Sequence, residues 1–196
     1  MCGIAGFIGK DKNKKKILKA MCDRIAHRGP DAEGFYVKGD VALGQRRLSI
    51  IDIEGGKQPM FSEDGKLVIV FNGEIYNYKD LKKELKEYPF QTESDTEVLI
   101  YGYRKWGYDL PNHLRGMFSF ALYDMEEKTL FCARDHFGIK PFYYYYNDGT
   151  FMFASEIKAF LDHPKFEKKF NESLIAPTYP LVLLLQLKLF LKVLNV

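Results

Sequence analysis

Apolar and polar positions along the chain alternate in two periods, and the change from one to the other marks the elements. Small and apolar residues over 3–8 predict a first strand. From Lys14 to His27 the apolar positions Ile17, Leu18, Met21, Cys22 and Ile25 share one helical face, and Gly29-Pro30 ends that helix. Strands are predicted over 34–37 and 41–50. Asp64-Gly65 makes a turn before Leu67-Val68-Ile69-Val70-Phe71, a continuous apolar run suited to a strand covered on both faces. One helix opens near Asn77 and carries Leu81 and Leu85 one turn apart. The next begins with Ser94-Asp95-Thr96-Glu97, which matches the S-x-x-E capping box, and stops at Gly107. Strands follow over 117–124, 129–134, 142–146 and 151–154, the last two joined by a hairpin turn at Asn147-Asp148-Gly149. In 118–122, Phe118, Phe120 and Leu122 make one face bulky, while Ser119 and Ala121 keep the other small, as close packing of a second layer requires. A short helix is predicted over 156–161. The pattern is mixed α/β, with strands buried between helices and no linker dividing residues 1–165.

Composition sharpens this picture. A chain of 196 residues, 46% hydrophobic, supports one globular domain with its own core. The net charge of +3 is weak, and Lys10, Lys12, Lys14, Lys15 and Lys16 read as a solvated loop and helix start. Nucleic-acid binding needs a broader basic stripe with aromatic partners, so no such partner is expected. Cys2, Cys22 and Cys132 are odd in number and widely spaced, which predicts neither a disulfide framework nor a metal site and points to a reducing, cytoplasmic location. The first nine residues are too short and glycine-rich for a signal peptide. The segment 181–196, LVLLLQLKLFLKVLNV, contains Lys188 and Lys192 and is too short and too charged to span a membrane. Its alternation at Leu187, Leu189 and Leu191 suits an edge strand, and a non-native or truncated end equally well.

The chemistry centres on Cys2. A thiol with an ordinary pKa of about 8.5 needs a base to react as thiolate at neutral pH. Removal of Met1 would leave Cys2 with its own α-amine, whose pKa of about 7.7–8.0 makes it a serviceable base. Position alone leaves an inert buried cysteine as an equally good reading. Acyl transfer also needs an oxyanion hole. Asn72-Gly73, directly after the apolar run, offers a side-chain amide and a closely approaching backbone, although a lone Asn-Gly is ordinarily a turn. An amino-acid substrate needs a cation for its carboxylate, which Arg47 can supply through paired hydrogen bonds. It needs anions for its ammonium, for which Glu74 and Asp95 are candidates. Asp95 is also favoured simply by its place at a helix N-terminus.

Taken in order, these stretches resemble the class II glutamine amidotransferases, which are N-terminal nucleophile hydrolases, and within them the glutamine-hydrolysing asparagine synthetases. The resemblance is carried by Met1-Cys2-Gly3-Ile4-Ala5-Gly6, His27-Arg28-Gly29-Pro30-Asp31, Arg47-Leu48-Ser49-Ile50, Asn72-Gly73-Glu74-Ile75-Tyr76-Asn77 and Ser94-Asp95-Thr96-Glu97. It continues through residues 116–124, Arg134-Asp135-His136-Phe137-Gly138-Ile139-Lys140-Pro141 and Ala154-Ser155-Glu156, and so covers roughly 2–160. It implies an α+β fold, a four-layer αββα sandwich. It implies that the Cys2 thiolate attacks the side-chain amide of L-glutamine to give a glutamyl thioester, ammonia and then glutamate. Asn72 and the Gly73 N–H would form the oxyanion hole. Arg47 would hold the glutamine carboxylate, Glu74 and Asp95 its ammonium, and the backbone of Leu48, Ser49, Ile50 and Ile51 would line the pocket. Arg28 and Asp31 would brace the loop near the nucleophile or form only a surface ion pair, and His27 and His136 are expected to be structural. No cofactor or metal is implied for this domain.

The family continues into a synthetase domain that binds ATP through a Ser-Gly-Gly-x-Asp-Ser loop and adenylates aspartate with magnesium. No such loop occurs here, and past about Asn171 the resemblance ends. The expectation is a glutaminase domain over 2–165, followed by an atypical apolar tail over 166–196, a truncated start of the link to a missing synthetase domain. Two alternatives stay open: the same fold serving another acceptor, as in glucosamine-6-phosphate synthase, amidophosphoribosyltransferase or glutamate synthase, and an inactive fragment or binding module. A homodimer is also compatible with the sequence.

Overall fold

The computed structural model describes residues 1–48 and 56–168 and the backbone of 191–195. The strands, in chain order, are β1 (Gly3–Ile8), β2 (Ala32–Lys38), β3 (Val41–Arg47), β4 (Met60–Phe61), β5 (Leu67–Ile75), β6 (Gly116–Asp124), β7 (Thr129–Arg134), β8 (Tyr143–Asn147), β9 (Thr150–Ala154) and β10 (Leu191–Asn195). The α-helices are α1 (Lys14–Arg24), α2 (Tyr78–Glu84), α3 (Thr96–Trp106) and α4 (Leu110–His113), with 3₁₀ turns at Ala26–Arg28, Gly107–Asp109 and Ile157–Asp162. Two antiparallel five-stranded sheets form, in the orders β2-β3-β1-β9-β8 and β10-β7-β6-β5-β4.

Three apolar layers order these elements into an αββα sandwich. Leu18, Met21 and Cys22 of α1, with Phe160, cover the outer face of the first sheet. Ile4 and Leu43 of that sheet meet Val68, Val70 and Ala121 of the second. On the far side, Ile69, Phe71, Phe120 and Leu122 pack beneath Leu81 of α2 and Leu99 of α3. The unbroken apolar run in β5 is thereby explained: alternate residues face the sheet interface and the helices, and each buried aliphatic side chain contributes about 1.5–3 kcal/mol. Ser119 is buried, and Ala121 lies in the layer between the sheets, as the small face of that segment predicted. The β8–β9 hairpin closes through Asp148 (φ 45°) and Gly149 (φ 67°), the left-handed pair of a two-residue turn. Among the described residues no helix is long and apolar enough to cross a membrane.

Three local expectations are corrected. Asn72-Gly73 is not a turn: β5 continues to Ile75, paired with β6 residue by residue. The pairing is close enough that a Cβ on Gly73 would lie 2.3 Å from the Met117 carbonyl oxygen. The helix predicted to His27 ends at Arg24 and tightens into a 3₁₀ turn, where Arg28 N–H bonds Ile25 O and Gly29 N–H bonds Ala26 O. The capping box is not made. Ser94 Oγ accepts the Thr96 N–H at 3.2 Å, but Glu97 turns to the preceding segment and accepts the N–H groups of Gln91 (2.8 Å) and Thr92 (2.9 Å). At the other end of the chain, β10 pairs with β7 at the edge of the second sheet; residues 169–190 lie outside the described residues.

Candidate active site

The two sheets bring distant segments together at one end of the sandwich. Cys2 immediately precedes β1, Arg47 ends β3, Asn72, Gly73 and Glu74 ride on β5, and Asp95 caps α3. Together with Leu48 they line one cavity of about 210 Å³. Of the sequence-predicted pocket residues, Ser49, Ile50 and Ile51 lie outside the described residues.

Cys2 is half-buried, and its Sγ lies 3.4 Å from the Leu48 nitrogen, which donates to it, and 3.6 Å from the Leu48 oxygen. From behind, Arg28 Nε donates to the Cys2 carbonyl at 3.0 Å, while its Nη1 pairs with Glu156 at 3.1 Å. Arg28 therefore braces Cys2, with Glu156 as its ion-pair partner; Asp31 contributes a backbone N–H to Arg47 O at 3.1 Å. His27 also reaches Glu156, at 2.8 Å, and so serves this brace. Burial pushes the Glu156 carboxyl upward, but bonds from Lys158, Arg28 and His27 outweigh it and hold the group below the ordinary carboxylate range.

Asn72 is 2% exposed, and its Nδ2 is buried with no hydrogen-bond partner among the described residues. An unsatisfied buried donor costs about 1–3 kcal/mol. In a cavity wall shared with a cysteine, such a donor is available to a ligand oxygen. The position next to it admits only glycine, as the Gly73 clash distance requires. Arg47 is 7% exposed at the cavity wall. Asp95 Oδ2 accepts the Ile75 N–H at 2.9 Å. Burial raises its carboxyl above the usual range, and the neighbouring Glu74 charge adds to the rise against the opposing backbone bonds. Glu74 makes no side-chain ion pair among the described residues. The cavity lining thus carries two carboxylates, Glu74 and Asp95, together with the cations Arg47 and Lys140.

Several lining residues escaped the sequence reading. Gln45, 1% exposed in β3, donates from Nε2 to Phe71 O at 3.0 Å and ties the first sheet to the second. Gln58 Oε1 accepts the Phe71 N–H at 2.6 Å, and its Nε2 reaches Thr96 Oγ1 at 3.3 Å. Polar Gln45 directly after the small and apolar run 41–44 was a usable signal; Gln58 carried none, and Lys140 only its place in the motif from Arg134 to Pro141. A wider hollow of about 910 Å³ lies over the start of α1, but solvated lysines line it and it holds no nucleophile.

Comparison with known proteins agrees with this geometry. A family model described as a glutamine amidotransferase domain matches residues 1–190. The glutamine-hydrolysing asparagine synthetase 2 of Bacillus subtilis is 43% identical over 176 residues, covering 87% of this chain and 24% of that protein. Asparagine synthetase 1 of the same organism is 45% identical over 168 residues, covering 82% of this chain and 27% of that protein. The chain thus spans about a quarter of the length of these relatives. Among solved structures, glutamine phosphoribosylpyrophosphate amidotransferase from B. subtilis superposes with a TM-score of 0.69 at 23% identity, over 81% of this chain and 43% of that one, and so shares the fold. With a family model spanning nearly its whole length, and with the two-sheet sandwich common to that amidotransferase, this chain belongs to the glutamine amidotransferase domain family.

Proposed function

We propose that this domain hydrolyses L-glutamine with the Cys2 thiolate as nucleophile. The observation that carries the reading is the buried Asn72 Nδ2, without a hydrogen-bond partner among the described residues, in the same cavity wall as the Cys2 thiol. Once Met1 is removed, the α-amine of Cys2 takes the thiol proton, and the sulfur attacks the side-chain amide carbon. Asn72 Nδ2 and the Gly73 N–H receive the developing oxyanion. The α-amine returns its proton to the leaving ammonia, and water then releases glutamate from the thioester. Arg47 holds the substrate carboxylate, Glu74 and Asp95 its ammonium, and the segment from Leu48 to Ile51 lines the pocket. No cofactor is required for this half-reaction.

In the relatives' longer chains a second domain would consume the ammonia. We read that acceptor as an ATP- and magnesium-dependent synthetase domain acting on aspartate, and its location as the cytoplasm. Support comes from the relatives' name and from the share of their length that this chain lacks. The test is glutamate release by the Met1-free chain. Asn72→Ala should cost roughly 10²–10³-fold in kcat, and Cys2→Ala should abolish turnover. Undiminished glutamate release by Cys2→Ala would remove the mechanism.

A further inference from the structure

The Arg134-to-Pro141 stretch, between β7 and β8, is used by no step above. It is a tightly built loop. The buried Asp135 carboxylate accepts four backbone N–H groups: Phe137 (3.2 Å) and Ile139 (2.9 Å) on Oδ1, Phe118 (3.2 Å) and Lys140 (2.9 Å) on Oδ2. Arg134 Nε donates to Lys140 O at 2.7 Å, and its Nη2 bonds Gly138 O. Gly138, at φ 64°, lies in the left-handed region, and a Cβ there would stand 2.9 Å from the Arg134 guanidinium carbon. Everything in the loop converges on the placement of Lys140.

Lys140 is 4% exposed and lines the cavity beside Cys2. Its ammonium makes one hydrogen bond among the described residues, 3.2 Å to the Sδ of Met1. A thioether is a weak acceptor, and a buried ammonium held by it alone is poorly compensated. Met1 is also the residue whose removal the mechanism requires. The other charged groups around Cys2 have different tasks. Arg28, from the 3₁₀ turn, is paired with Glu156; Arg47, from β3, lines the same cavity and on the proposed function holds the substrate carboxylate; Glu74 of β5 and Asp95 at α3 are the anions.

Resting on the glutaminase reading, we propose that Lys140 is a positioning residue for the mature amino terminus. With Met1 gone, its ammonium loses the one hydrogen-bond acceptor it has among the described residues and faces Cys2, where a fixed positive charge favours the thiolate and the unprotonated α-amine. The thiol proton leaves to the α-amine or to solvent; no redox step or co-reactant is involved. Lys140 acts through Cys2 and does not itself touch the scissile amide.

The test is the pH dependence of Cys2 alkylation by iodoacetamide in the Met1-free chain, followed by intact mass and peptide mapping. This readout needs no glutamine turnover, and Cys22 and Cys132 are buried. Lys140→Met, which keeps an unbranched apolar stem, should move the midpoint up by about one pH unit, a loss of roughly 10-fold in rate below it. Lys140→Arg should keep the wild-type midpoint, and circular dichroism should show both variants folded. Equal midpoints in all three chains, or equal displacement in both variants, would overturn the proposal. A wild-type chain with the expected alkylation profile that releases no glutamate would refute the glutaminase reading and leave this one standing.

Discussion

Asp95 is a side chain that works against folding and, on the proposed function, for binding. Its carboxyl is raised by burial and by Glu74. A raised carboxyl contributes stability when protonated and loses it as pH rises through the folded-state value, so at neutral pH the ionised group opposes folding. Asp95→Asn should therefore melt at the same or a higher temperature than wild type at pH 7, with the advantage shrinking as the solution is acidified. The same variant should raise KM for glutamine roughly 10–100-fold, since a charge-assisted contact to the substrate ammonium is lost. A variant that melts lower at pH 7 with KM unchanged would show that Asp95 is only a helix cap. At this scale the sequence was informative about which residues line the cavity where they sit in contiguous stretches, as at Cys2, Arg47 and Asn72-Gly73-Glu74. It was silent on Gln58 and Lys140, because their roles arise from contacts to Phe71 and Met1, distant along the chain.

At the scale of elements, α3 is held by its first turn. Glu97 is 5% exposed and accepts the Gln91 and Thr92 N–H groups together with the Thr92 hydroxyl at 2.7 Å. Glu97→Ala strands these donors and should lower the unfolding free energy by about 2–3 kcal/mol in urea titrations. Glu97→Gln should lose less, since its amide oxygen still accepts; an alanine variant indistinguishable from wild type would disprove the anchoring role. The capping box was a reasonable prediction from Ser94 and Glu97. It failed because the loop before the helix offered Glu97 more unsatisfied N–H groups than the reciprocal box does. The strands and the hairpin were legible because their alternation reflects burial on sheet faces. The extension of β5 past Phe71 was not, because polar Asn72 and Glu74 interrupt the apolar pattern at the very place where the strand enters the cavity wall.

For the whole molecule, the chain matches about a quarter of the length of its longer relatives, and on the proposed function the ammonia it releases has no acceptor within the described residues. Incubated with glutamine, aspartate, ATP and magnesium, the purified chain should form glutamate and no asparagine, as read by amino-acid analysis. Asparagine in that mixture would mean that the part of the relatives outside the match is not needed. The sandwich itself was legible from the two-sided burial of 67–71 and the small face at Ser119 and Ala121, whereas the assignment of individual strands to one sheet or the other was not, since the order β2-β3-β1-β9-β8 joins segments from opposite ends of the chain.

On the proposed mechanism, nucleophile and oxyanion donor are mounted on different sheets, Cys2 ahead of β1 in the first and Asn72 on β5 in the second, with Ile4, Val68 and Val70 filling the space between and Gln45 bridging to Phe71. The greasy interlayer is accordingly a gauge block: its thickness sets the distance across which sulfur and amide must cooperate. Catalytic alignment in this domain is a property of its interior upholstery, and a methyl group trimmed far from any solvent would be felt first as mistimed chemistry.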